Sequence, residues 1–134
     1  MCGIAGKIVS PGLSVSEIDT KQVLDSIRHR GPDYEGDYSE ERVWLGHVRL
    51  AILDLSDHGN QPMFTEDKKA CICYNGETYN YRELKELSGI RPTRTDTDTE
   101  VVLKLIRQEG LGSVSKLNGM FAFAYYDLEK RKLW

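Results

Sequence analysis

Cys2 is the residue whose position matters most to its chemistry, because loss of Met1 puts a thiol and a free α-amine on one Cα. The thiolate is the attacking species, and a thiol near its ordinary pKa of about 8.5 is only slightly ionised at neutrality. An α-amine of pKa about 8 is partly neutral there, so it can accept the thiol proton directly or through one water. Gly3 and Gly6 allow close backbone approach beside it. The alternative is structural: Cys2 opens a buried strand over 3–9 and does no chemistry.

Three further groups have the types such a thiol would need. Arg49 begins the apolar segment Leu50-Ala51-Ile52-Leu53, where a cation needs a partner. A buried structural Asp and a ligand carboxylate both suit its bidentate fork. Asn75-Gly76-Glu77 sets a side-chain amide beside a glycine N–H. Acyl transfer uses two such donors about 3 Å from the developing oxyanion, while a tight turn uses the same residues to tolerate positive φ. Asp98, after Thr97, is either a first-turn carboxylate favoured by the helix dipole or the receiver of a substrate ammonium group.

Other candidates have simpler readings. Arg28-His29-Arg30-Gly31-Pro32-Asp33 suits the end of a helix, three cations meeting the C-terminal dipole before a Gly-Pro stop. Cys71 and Cys73 lie two apart on one strand, face the same way and read as packing residues. His29, His47 and His58 make no ligand pair, so no metal site is expected. No phosphate loop or dinucleotide fingerprint is present. As a set, a thiol able to become N-terminal, a guanidinium, an amide–glycine pair and an acid are the parts for hydrolysing an amide of an amino acid. Cys2 would attack, Asn75 and Gly76 hold the oxyanion, Arg49 take the α-carboxylate and Asp98 the α-ammonium. L-Glutamine is the amino acid with a reactive side-chain amide to suit.

These residues need elements to position them. A strand over 3–9 should close at Ser10-Pro11-Gly12. Ser14 and Glu17 form a capping-box pattern, and Val23, Leu24 and Ile27 share a helical face that should end near His29. Two short strands are expected over 43–45 and 50–53, around the polar junction Gly46-His47-Val48-Arg49, and another over 70–74. Asn75-Gly76 then reads as a strand-to-helix turn, since the chain from Tyr81 is helical in propensity. Thr97 and Glu100 make a second capping box, opening a helix with Val101, Val102, Leu105 and Ile106 inward and Gly110 as its stop. The apolar run 120–126 predicts a strand buried on both faces, and 132–134 a return strand.

With 134 residues, 40% hydrophobic and 29% charged, the chain suits one globular domain. Its 18 basic and 21 acidic residues are interleaved, so no nucleic-acid footprint emerges. No apolar run is long enough to span a membrane and no secretory leader pattern is present, and three cysteines argue against a disulfide framework, so the chain reads as cytoplasmic. Strands and helices in blocks without strict alternation favour antiparallel sheets with helices outside them. A chain stopping inside a hairpin reads as part of a longer protein.

The chain resembles the N-terminal glutaminase domain of glutamine-hydrolysing asparagine synthetases, class II (Ntn-type) amidotransferases. The matching stretches are MCGIAG at 1–6, RHRGPD at 28–33, GHVRLAILDLS at 46–56, NQPM at 60–63, YNGETYNYREL at 74–84, TDTE at 97–100 and LNGMFAFAYYD at 117–127. Thr78 and Thr97 depart from the family's usual Ile and Ser. The resemblance implies an α+β fold, a four-layer αββα sandwich of two antiparallel sheets flanked by helices, truncated at its C-terminus. Residues 1–134 would be an incomplete type-2 amidotransferase domain. Also implied are Cys2 as nucleophile, Asn75 and Gly76 as oxyanion hole, and Arg49, Leu50, Ala51, Ile52, Leu53, Asn75, Gly76, Glu77 and Asp98 as the glutamine-binding set. No cofactor or metal is expected in this domain. ATP and Mg are implied for a C-terminal synthetase domain, its partner, which would use the ammonia to amidate aspartate; a homodimer is left open. The rival expectations are a paralogue that amidates another carboxylate, on a surface polysaccharide or exported peptide, and a catalytically silent binding or regulatory module.

Overall fold

The computed structural model describes residues 2–17, 19–91 and 93–134. β1 (Gly3–Ile8), β2 (Tyr34–Glu40) and β3 (Val43–Arg49) form an antiparallel sheet in the order β1-β3-β2. β4 (Met63–Phe64), β5 (Ala70–Thr78), β6 (Gly119–Asp127) and β7 (Lys132–Leu133) form a second, in chain order. Helix α1 (Thr20–Ile27) covers the first sheet, and α2 (Tyr81–Leu87) and α3 (Asp98–Glu109) cover the second. The result is the α+β sandwich of two antiparallel sheets flanked by helices. Among the described residues, no helix is long and apolar enough to cross a membrane, and no group of three acidic, Cys or His side chains is placed to hold a metal ion.

Strand alternation explains the layers. On β3, Trp44 and Val48 face Leu24 of α1, while Val43 and Leu45 turn inward to meet Cys71, Cys73 and Tyr126 of the other sheet. On β5, Ala70, Ile72 and Tyr74 face Val102, Leu103 and Ile106 of α3. Burying such side chains contributes about 1.5–3 kcal/mol each. Cys71 and Cys73 are packing residues, as expected, on the inner face.

Several boundaries differ from expectation. Helix α1 starts at Thr20, capped by Asp19, whose carboxylate accepts the Gln22 N–H at 3.0 Å. The expected pairing of Ser14 with Glu17 lies outside the described side chains. The helix passes into a 3-10 turn at Arg28–Arg30, close to the expected stop. Thr97 does cap α3 through the Glu100 N–H at 3.3 Å, but the Glu100 carboxylate turns to the Arg94 and Thr95 N–H groups instead of back to Thr97. Val101, Val102, Leu105 and Ile106 are buried and Gly110, at φ 82°, ends the helix as expected.

Three corrections concern strands. β3 is one continuous strand running through Gly46-His47-Val48-Arg49, and residues 50–53 are an irregular loop. Asn75 and Gly76 are rungs of β5, paired with Ala122 and Phe121, so the chain runs straight through them before turning into α2. Strand β6 is buried at Tyr125 and Tyr126, but Met120 is 68% exposed, so burial on both faces holds only for its second half.

Candidate active site

β1 pairs with β3 so that Gly3 lies opposite Val48, which brings Cys2 beside Arg49 at the end of the sheet. The Cys2 thiol sits at the Leu50 peptide: the Leu50 N–H donates to Sγ at 3.4 Å, and the Leu50 carbonyl lies 3.7 Å from it. By alternation Cys2 shares the inward face of Ile4, and Asn75 shares the inward face of Cys73 on the opposed sheet.

The 28–33 segment brackets this corner and is more than a helix stop. Arg30 donates its Nε–H to the Cys2 carbonyl at 3.0 Å. Gly31 crosses so close to the Val48 carbonyl that a Cβ there would overlap it. The Asp33 N–H donates to the Arg49 carbonyl at 3.0 Å, and its Oδ2 accepts the Ala51 N–H at 2.8 Å. Only Arg28 behaves as a surface cation, paired with Asp25 and Glu35.

Arg49 is 6% exposed and is wrapped by the loop that follows it. Its guanidinium donates to the carbonyl of Ser56 at 2.7 Å, to Oδ1 of Asn60 at 2.9 Å and to the carbonyl of Asp54. A Cβ on Gly59 would collide with the guanidinium, so glycine there lets the loop wrap it. Three of its five N–H donors are thus used by acceptors that carry no full charge. The positive charge of Arg49 is fixed in place and is felt by the Asp54 carboxyl, whose pKa is lowered by hydrogen bonds from Ser56 first and by the Arg49 charge in addition.

The opposite wall comes from β5 and the start of α3. Gly76 has φ 154°, and a Cβ would run into the Met120 carbonyl and Phe121 Cα, so β6 packs against bare backbone there. Asp98 is 4% exposed; Oδ2 accepts the Thr78 N–H at 2.7 Å and Oδ1 the Thr99 N–H at 2.8 Å. Burial nevertheless raises its carboxyl pKa above the usual range, and burial followed by the Asp98 charge does the same to Glu77.

One cleft joins these walls. It is lined by Cys2, Arg49, Leu50, Ile52, Leu53, Gly76, Glu77 and Asp98 from the expected set. Two members of that set lie off its lining. Ala51 is held by Asp33, and Asn75 adjoins Gly76 with its Oδ1 buried and unpartnered. Gln61, Tyr74 and Gly59 line the cleft without having been singled out for a role. Gln61 belongs to the NQPM stretch, and that was the available signal.

A cleft carrying a thiol, a fixed guanidinium and the carboxyl groups of Glu77 and Asp98 can take a zwitterion by its two charged ends and present the remainder to sulfur. The description "Glutamine amidotransferase domain" matches residues 1–134. The chain is 45% identical, over 97% of its length, to a protein of Methanocaldococcus jannaschii provisionally named glutamine-hydrolysing asparagine synthetase 2. It is 40% identical over 99% of its length to amidase chry2 of Gibberella zeae, and 38% identical over its whole length to glutamine-hydrolysing asparagine synthetase 2 of Bacillus subtilis. It spans only 28%, 22% and 18% of those proteins. Among solved structures, glutamine phosphoribosylpyrophosphate amidotransferase from B. subtilis, complexed with ADP and GMP, superposes with a TM-score of 0.55 at 21% identity, covering 93% of this chain and 29% of that one. That likeness bears on the fold, and it agrees with the sandwich of two sheets. Matched along its entire length, the chain belongs to the glutamine amidotransferase domain family.

Proposed function

We propose that this chain is the glutamine-hydrolysing part of an asparagine synthetase-like enzyme. The observation that carries the reading is the cleft in which Cys2, Arg49 and Asp98 meet. With Met1 removed (a residue outside the described ones), the α-amine of Cys2 accepts the thiol proton. The sulfur attacks the side-chain amide carbon of L-glutamine and forms the S–C bond, and the carbonyl oxygen becomes an oxyanion. The Gly76 N–H and the side-chain amide of Asn75 stabilise it. The α-ammonium returns the proton to nitrogen as the C–N bond breaks, releasing ammonia. Water then cleaves the thioester, giving glutamate and restoring the thiol. Arg49 holds the substrate α-carboxylate and Asp98, with Glu77, its α-ammonium; Leu50, Ala51, Ile52 and Leu53 form the loop beside them.

The ammonia serves a C-terminal synthetase domain that uses ATP and Mg to amidate aspartate, and the enzyme works in the cytoplasm. The names of the M. jannaschii and B. subtilis relatives support this acceptor. The amidase name of the G. zeae relative keeps a second acceptor in view, another carboxylate served by the same glutaminase chemistry. The test is Cys2→Ala in the full-length protein: glutamine-dependent asparagine formation should vanish while synthesis from added ammonia persists. Surviving glutaminase activity refutes Cys2 as nucleophile; loss of glutaminase without any asparagine made from ammonia refutes the acceptor.

A further inference from the structure

In an antiparallel ladder the N–H and C=O of one residue point to the same neighbour, and successive residues alternate. On β5 the even-numbered residues point toward β4: the Ala70 carbonyl accepts the Thr65 N–H at 2.9 Å on that side. But β4 pairs only with Cys71 and Ile72. From Tyr74 onward, no strand among the described residues lies beside that edge of β5.

Side chains take the place of the missing strand. At Tyr74, Gln61 Oε1 accepts the N–H at 2.6 Å and His47 Nε2 lies 3.2 Å from the carbonyl. At Thr78, Asp98 accepts the N–H. Gly76 is the rung between them, and it lines the cleft. Its N–H and C=O therefore point into the cleft, between a Tyr74 rung with both groups engaged and a Thr78 rung whose N–H is taken by Asp98.

His47 is built for one such contact. A carbonyl only accepts, so Nε2 must carry the hydrogen and Nδ1 is the bare nitrogen of a neutral ring. Nδ1 is buried without a partner, and the ring is 0% exposed. Burial foremost, and then the nearby Arg49 charge, push its pKa down to about 4, against the Tyr74 hydrogen bond. The imidazole thus stays neutral in a single tautomer. Gln61, 5% exposed, supplies the complementary acceptor.

We infer that His47 and Gln61 are positioning residues for the oxyanion donor: they complete the Tyr74 rung as a strand would, and so aim the Gly76 N–H at the oxygen of the carbonyl that Cys2 attacks. This rests on the reading of Cys2 as nucleophile and Gly76 as donor. A donor aimed at an oxyanion acts mainly after the carbonyl has been attacked, so its misplacement lowers kcat and leaves glutamine binding to Arg49 and Asp98.

The experiment compares paired variants in the full-length protein. His47→Gln keeps a donor where Nε2 lies, and His47→Asn does not reach. Gln61→Glu keeps the acceptor, and Gln61→Leu removes it. We expect His47→Asn and Gln61→Leu to lower kcat for glutamine hydrolysis roughly 10- to 100-fold, a fraction of the loss on deleting a donor outright. KM should stay within about threefold, and His47→Gln and Gln61→Glu should recover most of the rate. The γ-aldehyde of glutamate provides a second readout. The Cys2 sulfur adds to its carbonyl carbon and the thiol proton passes to the oxygen, so its affinity should fall in parallel with kcat while that of glutamate holds. Unchanged kcat and aldehyde affinity, or a rise confined to KM, overturns the inference. Equal losses in the paired variants also overturn it. Cys2→Ala separates the two claims, since full activity there removes the underlying reading whatever His47 does.

Discussion

The cleft and the interior of this domain hold the same two residue types under opposite conditions. Cys73 is enclosed between the sheets, where burial raises its thiol pKa; Cys71 beside it is pushed up to about 12. Cys2 is only partly buried and lies against a backbone N–H. The carboxylates differ in the same way. Asp98 and Glu100 sit two residues apart, 4% and 2% exposed. Glu100 is met by the Arg94 and Thr95 N–H groups, the Thr95 hydroxyl and Lys104, which more than offset its burial and lower its pKa. Asp98 has two backbone N–H partners and the Tyr74 hydroxyl nearby but no ion pair with a cation among the described residues, and burial raises its pKa. Burial alone does not separate a structural group from one proposed to act in the site. What separates them is whether the surroundings complete the group or leave it wanting a partner.

The largest effect should come from the cysteines. Iodoacetamide on the native full-length protein should abolish glutamine hydrolysis with one thiol of this domain modified, and glutamine should protect it. Cys71 and Cys73 should react only after denaturation, as peptide mapping would reveal. Labelling of Cys73 at a rate like that of Cys2 would break the comparison.

The acids come next. Glu100→Ala strands several buried donors and should cost about 3–5 kcal/mol in denaturant unfolding. Asp98→Asn removes a carboxyl whose pKa burial raises, so stability should move by about 1 kcal/mol or less. The KM for glutamine should then rise roughly 100-fold, the loss expected for a buried charge-assisted contact of about 3 kcal/mol. Reversed outcomes would exchange the roles of the two carboxylates.

The smallest effect is graded with pH. His47 has an ordinary pKa near 6.5 unfolded and about 4 folded, so the unfolded chain binds more protons between those values. Stability should therefore fall as the pH drops from 6.5 towards 4, by roughly 3 kcal/mol at most. His47→Gln should flatten that slope in pH-dependent urea melts, whereas His58→Gln, an exposed residue, should not.

Where periodicity reports burial, the fold could be read from the sequence. Helix α3 with its Thr97 cap, strand β1, the inward Cys71 and Cys73, and the layered α+β plan all followed. Periodicity misled where residues are buried for the site's sake. β3 carries Gly46, His47 and Arg49 through its core section, and a polar run of that kind looks like a junction until the groups that use it are in view. β2 was missed because its sequence, YEGDYSE, has one polar and one half-buried face and lies at a sheet edge. Asn75-Gly76 resembles a turn because Gly76 does adopt positive φ, but what demands glycine is the backbone of β6. Most of the candidate residues, chosen by type, line one cleft, while Ala51 and Asn75 lie off its lining. The Arg30, Gly31 and Asp33 bracket and the Gln61 and His47 contacts required three dimensions, since each joins segments that no local pattern links.

The pairing of Gly3 with Val48 and of Asn75 with Ala122 joins positions 45 and 47 residues apart. Contacts of such separation form late. During synthesis at about 5–20 residues per second, Cys2 emerges roughly 5–20 s ahead of Asp98. The removal of Met1 that the proposed mechanism requires would have that interval in which to act. The newborn Cys2 thiol spends the same interval unshielded, so the proposed nucleophile would depend on a reducing surrounding before it has a cleft to occupy.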